Sequence, residues 1–261
     1  MMLTGTHVAF LGGDARQLEV IEQLTAKDAV VSLIGFDQLQ HQIVGVKKVD
    51  LTPELMSSID VLILPTVVHE NGKIDTLFSS EEIYIDEQTL QQLPDHALVF
   101  TGFAKPFLKE WCSQNRIELI ELFDRDDVAI YNSIPTAEGA VMMAIENTDF
   151  TIHGSKSMVL GLGRTGLTMA RTLRGIGADV SVGVRKSEHA ARAIEMGFKA
   201  IHIEKLDAHV KDIDLLFNTI PTMIVTAKVI ANLPHHAVII DLASKPGGTD
   251  FEAAERLGIR A

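Results

Sequence analysis

Cysteine is nearly absent, with Cys112 the only one in 261 residues. No intrachain disulfide can form, a cysteine-built metal site is excluded, and the usage fits a reducing cytoplasm. Basic residues are outnumbered: 23 Lys and Arg face 35 Asp and Glu, a formal net charge of −12. Such a surface repels a phosphate backbone, so nucleic acid is not an expected partner, though a local basic pocket is compatible with it. No apolar run approaches the roughly 20 residues of a membrane span. The opening residues, MMLTGTHVAFLGG, lack the basic segment and long apolar core of a signal peptide. The ten histidines contain no HExxH and no ligand spacing, so no metal is assigned.

What is present has the balance of a soluble globular protein, 46% hydrophobic and 22% charged, at a length that suits two domains. Short apolar runs alternate with helical stripes in both halves, which argues for parallel α/β sheets. In the first half strands are expected at His7–Leu11, Ala29–Ile34, Val61–Leu64, Leu98–Thr101 and Ile117–Glu121, with helices at Gln17–Leu24 and Pro106–Asn115. The stretch Leu39–Ser58 has no decided pattern. Over Asn132–Asn147, Pro135 sits where a first helical turn tolerates it, and Ala137, Val141, Ala144 and Ile145 share a face. This reads as a long helix between two domains. Strands follow at Ser157–Leu160, Asp179–Val184, Ala200–Ile203, Leu215–Asn218 and Val238–Asp241. Helices are expected at Thr165–Arg174, Glu188–Met196 and Asp250–Leu257. That order is doubly wound, and one more strand would be expected beyond Ala261.

Gly161, Gly163 and Gly166 form a GxGxxG between the apolar strand and the helix that follows it. The first glycine allows the tight turn, the second lets a pyrophosphate approach the backbone, and the third lets helix and strand pack closely. Arg164 and Thr165 lie in the same turn, where free N–H groups face the phosphates. The next strand ends at Val184, followed by Arg185, Lys186 and Ser187, with no acid before Glu188. An NAD-selective site would carry Asp or Glu at that strand end; two cations and a hydroxyl suit the 2′-phosphate of NADP. Asn218, Thr219 and Pro221 follow one later strand, and Leu242 and Lys245 follow the last, on the rim where such sheets bind ligands. In the first half, Gly12, Gly13, Asp14 and Arg16 also join a strand to a helix, a place able to receive a carboxylate. The fold class is therefore α/β: two Rossmann-like domains with parallel sheets, joined by a long interdomain helix. Residues 1–130 are assigned to a flavodoxin- or Rossmann-like substrate domain, 131–150 to the bridging helix and 151–261 to the NADP-binding domain.

Several segments together resemble the A subunit of bacterial dipicolinate synthase: LGGDARQL at Leu11–Leu18, GFDQL at Gly35–Leu39, DDVAIYNSIPT at Asp126–Thr136, TIHGSKSMVLGLGRT at Thr151–Thr165 and DLASKPGGTDF at Asp241–Phe251. The likeness extends over nearly the whole chain. It implies a cytoplasmic enzyme of the sporulating mother cell that oxidises a dihydrodipicolinate-level product of the lysine pathway, with NADP as hydride acceptor. It also implies a partner, a flavoprotein-like B subunit; a homo-oligomer is compatible with the same reading. Members of this family continue past the position of Ala261 with a strand and a helix. A dianionic substrate needs cations, for which Arg16 comes first and Lys105 and Lys245 after it. Ser133, Thr136 and Glu138, at the start of the long helix, are candidates to orient the ring or relay a proton. Two other readings compete. A non-catalytic NADP-binding subunit would lack cations facing the nicotinamide, and an enzyme like the D-2-hydroxyacid dehydrogenases would need a late catalytic His with an acidic partner, which is not found.

Overall fold

Runs of valine, leucine, isoleucine and phenylalanine become the centres of two parallel sheets, in which strands covered on both faces need no polar alternation. The computed structural model describes residues 1–41 and 43–261; Gln42, inside the undecided stretch Leu39–Ser58, lies outside the described residues. Two compact units result, Met1–Arg125 and Asp126–Ala261.

The first unit runs β1 (His7–Leu11), α1 (Ala15–Thr25), β2 (Val30–Ile34), β3 (Val46–Lys48), α2 (Pro53–Met56) and β4 (Val61–Ile63). It continues with β5 (Lys73–Ile74), β6 (Ile83–Tyr84), α3 (Glu87–Leu90), β7 (Leu98–Thr101), α4 (Pro106–Gln114) and β8 (Glu118–Glu121). Six strands pair in parallel in the order β3-β2-β1-β4-β7-β8, while β5 and β6 form a separate antiparallel pair. Val8, Ala9, Phe10 and Leu11 of the inner strand β1 are all buried. Each large side chain so buried stabilises the fold by about 1.5–3 kcal/mol. Cys112 is buried under the same sheet, and burial pushes its thiol up to about 11, so it is an inert packing residue.

The second unit runs α5 (Asp126–Glu146), β9 (Lys156–Leu160), α6 (Arg164–Gly175), β10 (Asp179–Val184), α7 (Ser187–Glu195) and β11 (Lys199–His202). It closes with α8 (Leu206–His209), β12 (Leu215–Asn218), α9 (Ala227–Ile230), β13 (Val238–Asp241) and α10 (Phe251–Leu257). Its five strands pair in parallel in the order β11-β10-β9-β12-β13. The chain order therefore reverses direction at β9, and a crevice opens above the ends of β9 and β12.

One expectation needs correction. The long helix starts at Asp126, so Pro135 lies inside it and not in its first turn. Asp126 and Asp127 occupy that first turn, where the helix dipole favours negative charge. Proline costs the helix the N–H that would reach the Tyr131 carbonyl. What offsets this is packing: Ala137, Ala140 and Ala144 are buried along the seam with α6, their small side chains letting the two helices approach.

Two glycines in helices should respond oppositely to alanine. A Cβ on Gly166 would stand 2.3 Å from the Gly161 carbonyl oxygen, whereas one on Gly139 of α5 meets nothing within 4 Å. Gly166→Ala is expected to destabilise the protein by about 1–3 kcal/mol. Gly139→Ala is expected to stabilise it by about 0.5–1 kcal/mol through the unfolded chain. Urea unfolding of both variants checks the signs.

Candidate functional site

A cavity of about 610 Å³ opens in the second unit at the carboxyl ends of β9, β10, β12 and β13. Its floor is the turn after β9. The Gly161 N–H donates to the Gly183 carbonyl at 2.8 Å, and Gly161 has a φ of +97°, which favours glycine. Thr219 ties the neighbouring strand end to the same turn, its hydroxyl donating to the Leu160 carbonyl at 2.7 Å. Gly163 is different. Its backbone is extended, open to any residue, and a Cβ there would meet no atom within 4 Å. Nothing in the protein demands glycine at 163; the space it leaves lies on the cavity side, where a pyrophosphate would approach. The first N–H groups of α6 carry no side-chain cap and remain available to an anion.

The cavity wall at the end of β10 is cationic. Val184 is buried, and Arg185 and Lys186 are exposed and line the space. Lys186 lies 3.7 Å from Glu188, while Arg185 has no hydrogen bond or ion pair among the described residues. The Glu188 carboxyl is held below the usual range, first by its own backbone N–H at the start of α7 and, less, by Lys186. Ser187 begins α7, exposed, and is not among the lining residues. On the opposite side Thr219, Pro221 and Leu242 line the cavity, as do Arg164 and Thr165 at the turn.

Asn218 acts from behind the wall. Fully buried, it donates to the Ile220 carbonyl at 3.1 Å and to Asp241 at 3.0 Å. Asp241 in turn accepts the N–H groups of Ala243 at 2.9 Å and Gly248 at 3.0 Å. One carboxylate thus folds the rim loop after β13 back onto the Asn218 strand end. Lys245 stands exposed on that loop, outside the lining, whereas Ser244 faces the space. Sequence reasoning did not single out Asp241 as the organiser, nor His189, Ile203 and Ile224 as part of the wall. The Asp241 role depends on strand neighbours far apart in the chain, and His189 shows only as a residue in the first turn of α7.

The α5 candidates lie elsewhere in this unit. Ser133 is buried, its hydroxyl donating to the Ile130 carbonyl and bonding the Thr168 hydroxyl, both at 2.6 Å, which closes the seam between α5 and α6. Thr136 donates to the Asn132 carbonyl at 2.8 Å, and Glu138 is exposed. None of the three lines the cavity. Arg164 also donates to Asp126 at 3.1 Å, which joins the start of α6 to the start of α5.

The first unit has its own cavity, about 540 Å³, beside the start of α1. Asp14 caps that helix, accepting from the Arg16 N–H at 2.9 Å, and its carboxylate pairs with the Arg16 guanidinium at 2.6 Å. Arg16 holds the Asp14 carboxyl below the usual range, and Asp14 raises Arg16 in return. The same Arg16 nitrogen donates to the Thr66 hydroxyl at 3.0 Å. That arrangement leaves both N–H donors of the other terminal nitrogen, Nη1, unused. A dinucleotide has no room at this turn, because Ile74, Asp75 and Thr76 stand within 2.5 to 3.3 Å of where a Cβ on Gly12 would be. Lys105 precedes α4 and lies 3.9 Å from Glu70. A larger cavity of about 680 Å³, lined by Asp37, Asp50, Glu81 and Glu82 against Lys48, has the wrong sign for an anion. Among the described residues no cluster of three or more His, Cys, Asp or Glu is arranged to hold a metal, and no helix is long and apolar enough to cross a membrane.

A doubly wound parallel sheet with a glycine turn open to the cavity defines the second unit as a Rossmann-type domain of the dehydrogenase, NAD(P)-binding class. Residues 132–255 match the alanine dehydrogenase/PNT C-terminal domain family. The chain as a whole belongs to the family of dipicolinate synthase A subunits. Residues 7–123 match the N-terminal domain of that family. Over 261 residues the chain is 48% identical to the dipicolinate synthase A subunit of Bacillus subtilis, covering all of this chain and 88% of the relative. The crystal structure of the Bacillus halodurans protein superposes with a TM-score of 0.96 at 48% identity, covering 100% of this chain and 90% of that one. The Bacillus subtilis crystal structure gives 0.92 at 48% identity, with coverages of 100% and 88%. A transhydrogenase from Sinorhizobium meliloti, 16% identical with a TM-score of 0.64 over 93% of this chain and 80% of its own, shares the fold.

Gly163→Ala tests the cradle directly. Stability should fall by no more than about 1 kcal/mol, the cost of alanine in place of glycine at the N-cap of α6. Dinucleotide affinity should fall about ten-fold or more, roughly 1.4 kcal/mol, in a titration followed by calorimetry. Unchanged affinity would mean that the pyrophosphate does not pass over residue 163.

Proposed function

We propose that this chain is the A subunit of a dipicolinate synthase that oxidises a dihydrodipicolinate-level intermediate of the lysine pathway to dipicolinate with NADP. The setting of the proposal is the cytoplasm of a sporulating mother cell, and the partner is a B subunit. The observation that carries the cofactor choice is the sign of charge at the end of β10. Arg185 and Lys186 line the cavity where the adenosine ribose lies in folds of this class, and no acid precedes Glu188. Glu188 is engaged by its own backbone and by Lys186. NAD would find no carboxylate for its ribose hydroxyls, and the 2′-phosphate of NADP would meet an unpaired guanidinium.

When bound, the nicotinamide ring supplies the hydride acceptor. The work of this chain is to bind and orient. The product ring is aromatic, so the reaction has a large driving force and positioning matters more than a strong base. Arg16 grips a substrate carboxylate with its two unused Nη1 donors, and the Thr66 hydroxyl, which accepts from Arg16, keeps its own hydrogen for the same oxygen pair. Lys105 and Lys245 are the further cations proposed for the second carboxylate, and Thr136 and Glu138 the further polar groups. Ser133 takes no part in the proposal, since its hydroxyl is buried in a helix seam.

Arg16→Ala should weaken substrate binding by about ten-fold or more, the range of a charge-assisted pair, with NADP affinity nearly unchanged. Equal losses for both ligands, measured by calorimetry, would instead make Arg16 a support of the fold. Wild-type protein should bind NADP more tightly than NAD, with a preference that weakens as salt rises. Combining Val184→Asp with Arg185→Ala should erase or reverse that preference. Titration of both nucleotides decides it, and wild-type protein that binds NAD at least as tightly contradicts the reading.

A further inference from the structure

His189 lies in the wall of the second-unit cavity, on the first turn of α7, half-buried and beside Arg185 and Lys186. Its ring makes no hydrogen bond to any described residue and helps to hold the neighbouring Glu188 carboxyl below the usual range, while Arg185 has no hydrogen bond or ion pair among the described residues. Two nitrogen-bearing side chains thus line one cavity wall. Of the charged groups next to them in the chain, Lys186, just before α7, and Glu188 pair with each other at 3.7 Å. Arg185 ends β10, and His202 ends β11 in register with Val184. Ile203 supplies the neighbouring apolar surface of the wall.

We propose that His189 is a specificity-determining residue for the dinucleotide, donating a ring N–H to the 2′-phosphate alongside Arg185 and so strengthening NADP and not NAD. This rests on the NADP reading above. The 2′-phosphate is what separates the two dinucleotides, so a donor that reaches it strengthens NADP and leaves NAD unchanged. Had the ring instead stacked on adenine, a base common to both dinucleotides, it would affect NAD and NADP alike.

The test is calorimetric titration of the full chain with NADP, NAD and 2′,5′-ADP in wild type, His189→Ala and His202→Ala. His189→Ala should lower NADP and 2′,5′-ADP affinity about five-fold, the upper range for a partly exposed pair, and leave NAD within about two-fold, which also reports an intact fold. His202→Ala should behave as wild type. Equal losses of NAD and NADP in His189→Ala, or NADP and 2′,5′-ADP affinities that do not change, overturn the inference while the NADP preference stands. Tighter NAD binding by the wild type overturns both.

Discussion

At the end of β9 the chain makes a turn so tight that a Cβ on Gly166 would stand 2.3 Å from the carbonyl oxygen of Gly161. That close approach fixes where α6 begins and which way its first N–H groups point. Thr219 reinforces it from β12 by donating to the carbonyl of Leu160, at the end of β9. Because β9 lies between β10 and β12, the turn sits where the strand order reverses, and a crevice is unavoidable there. The cations at the end of β10 and the loop folded by Asp241 then become opposite walls of one space. Gly163 completes it by contributing nothing, since its missing side chain is what leaves the floor open.

The two units share a parallel architecture and diverge at this same point. In the first, Ile74 at the end of β5, with Asp75 and Thr76 after it, fills the groove over Gly12. The Gly13 N–H is spent on the Asp75 carbonyl, and Leu77 donates back to Gly13. A backbone plug therefore stands where a dinucleotide would lie, and what remains is a smaller cavity with Arg16 at its edge. The same strand-to-helix turn thus opens onto a cavity in one unit and is covered in the other. Loop residues decide which, and the sheet does not.

Strands buried on both faces were legible in the sequence, because a short continuous apolar run between turn residues suits a covered parallel strand and little else. His7–Leu11, Leu98–Thr101, Asp179–Val184, Leu215–Asn218 and Val238–Asp241 have the bounds the sequence suggests. Elements held only by tertiary contacts were not. The β5–β6 pair has two residues in each strand, and α2, α3, α8 and α9 are four residues long, too short for periodicity. Pro135 misled the start of α5, since a proline looks like a first-turn residue unless the two acids at 126 and 127 are weighed against it. In the site, the glycine turn and the Arg185–Lys186 pair could be read from spacing. The tie from Asp241 to Asn218, His189 in the cavity wall and the plug over Gly12 could not, as each joins residues that only folding brings together.

In the proposed reaction, this chain and its partner subunit couple aromatisation of a dihydropyridine dicarboxylate to hydride transfer onto NADP. That coupling is tested most directly by mixing the full chain and the partner subunit with freshly generated dihydrodipicolinate and following NADPH and dipicolinate together. The account predicts that the two appear in equal amounts, that omission of either subunit nearly abolishes both, and that NADP supports the reaction better than NAD. Dipicolinate accumulating at the same rate without NADP, or with no NADPH formed, would contradict it.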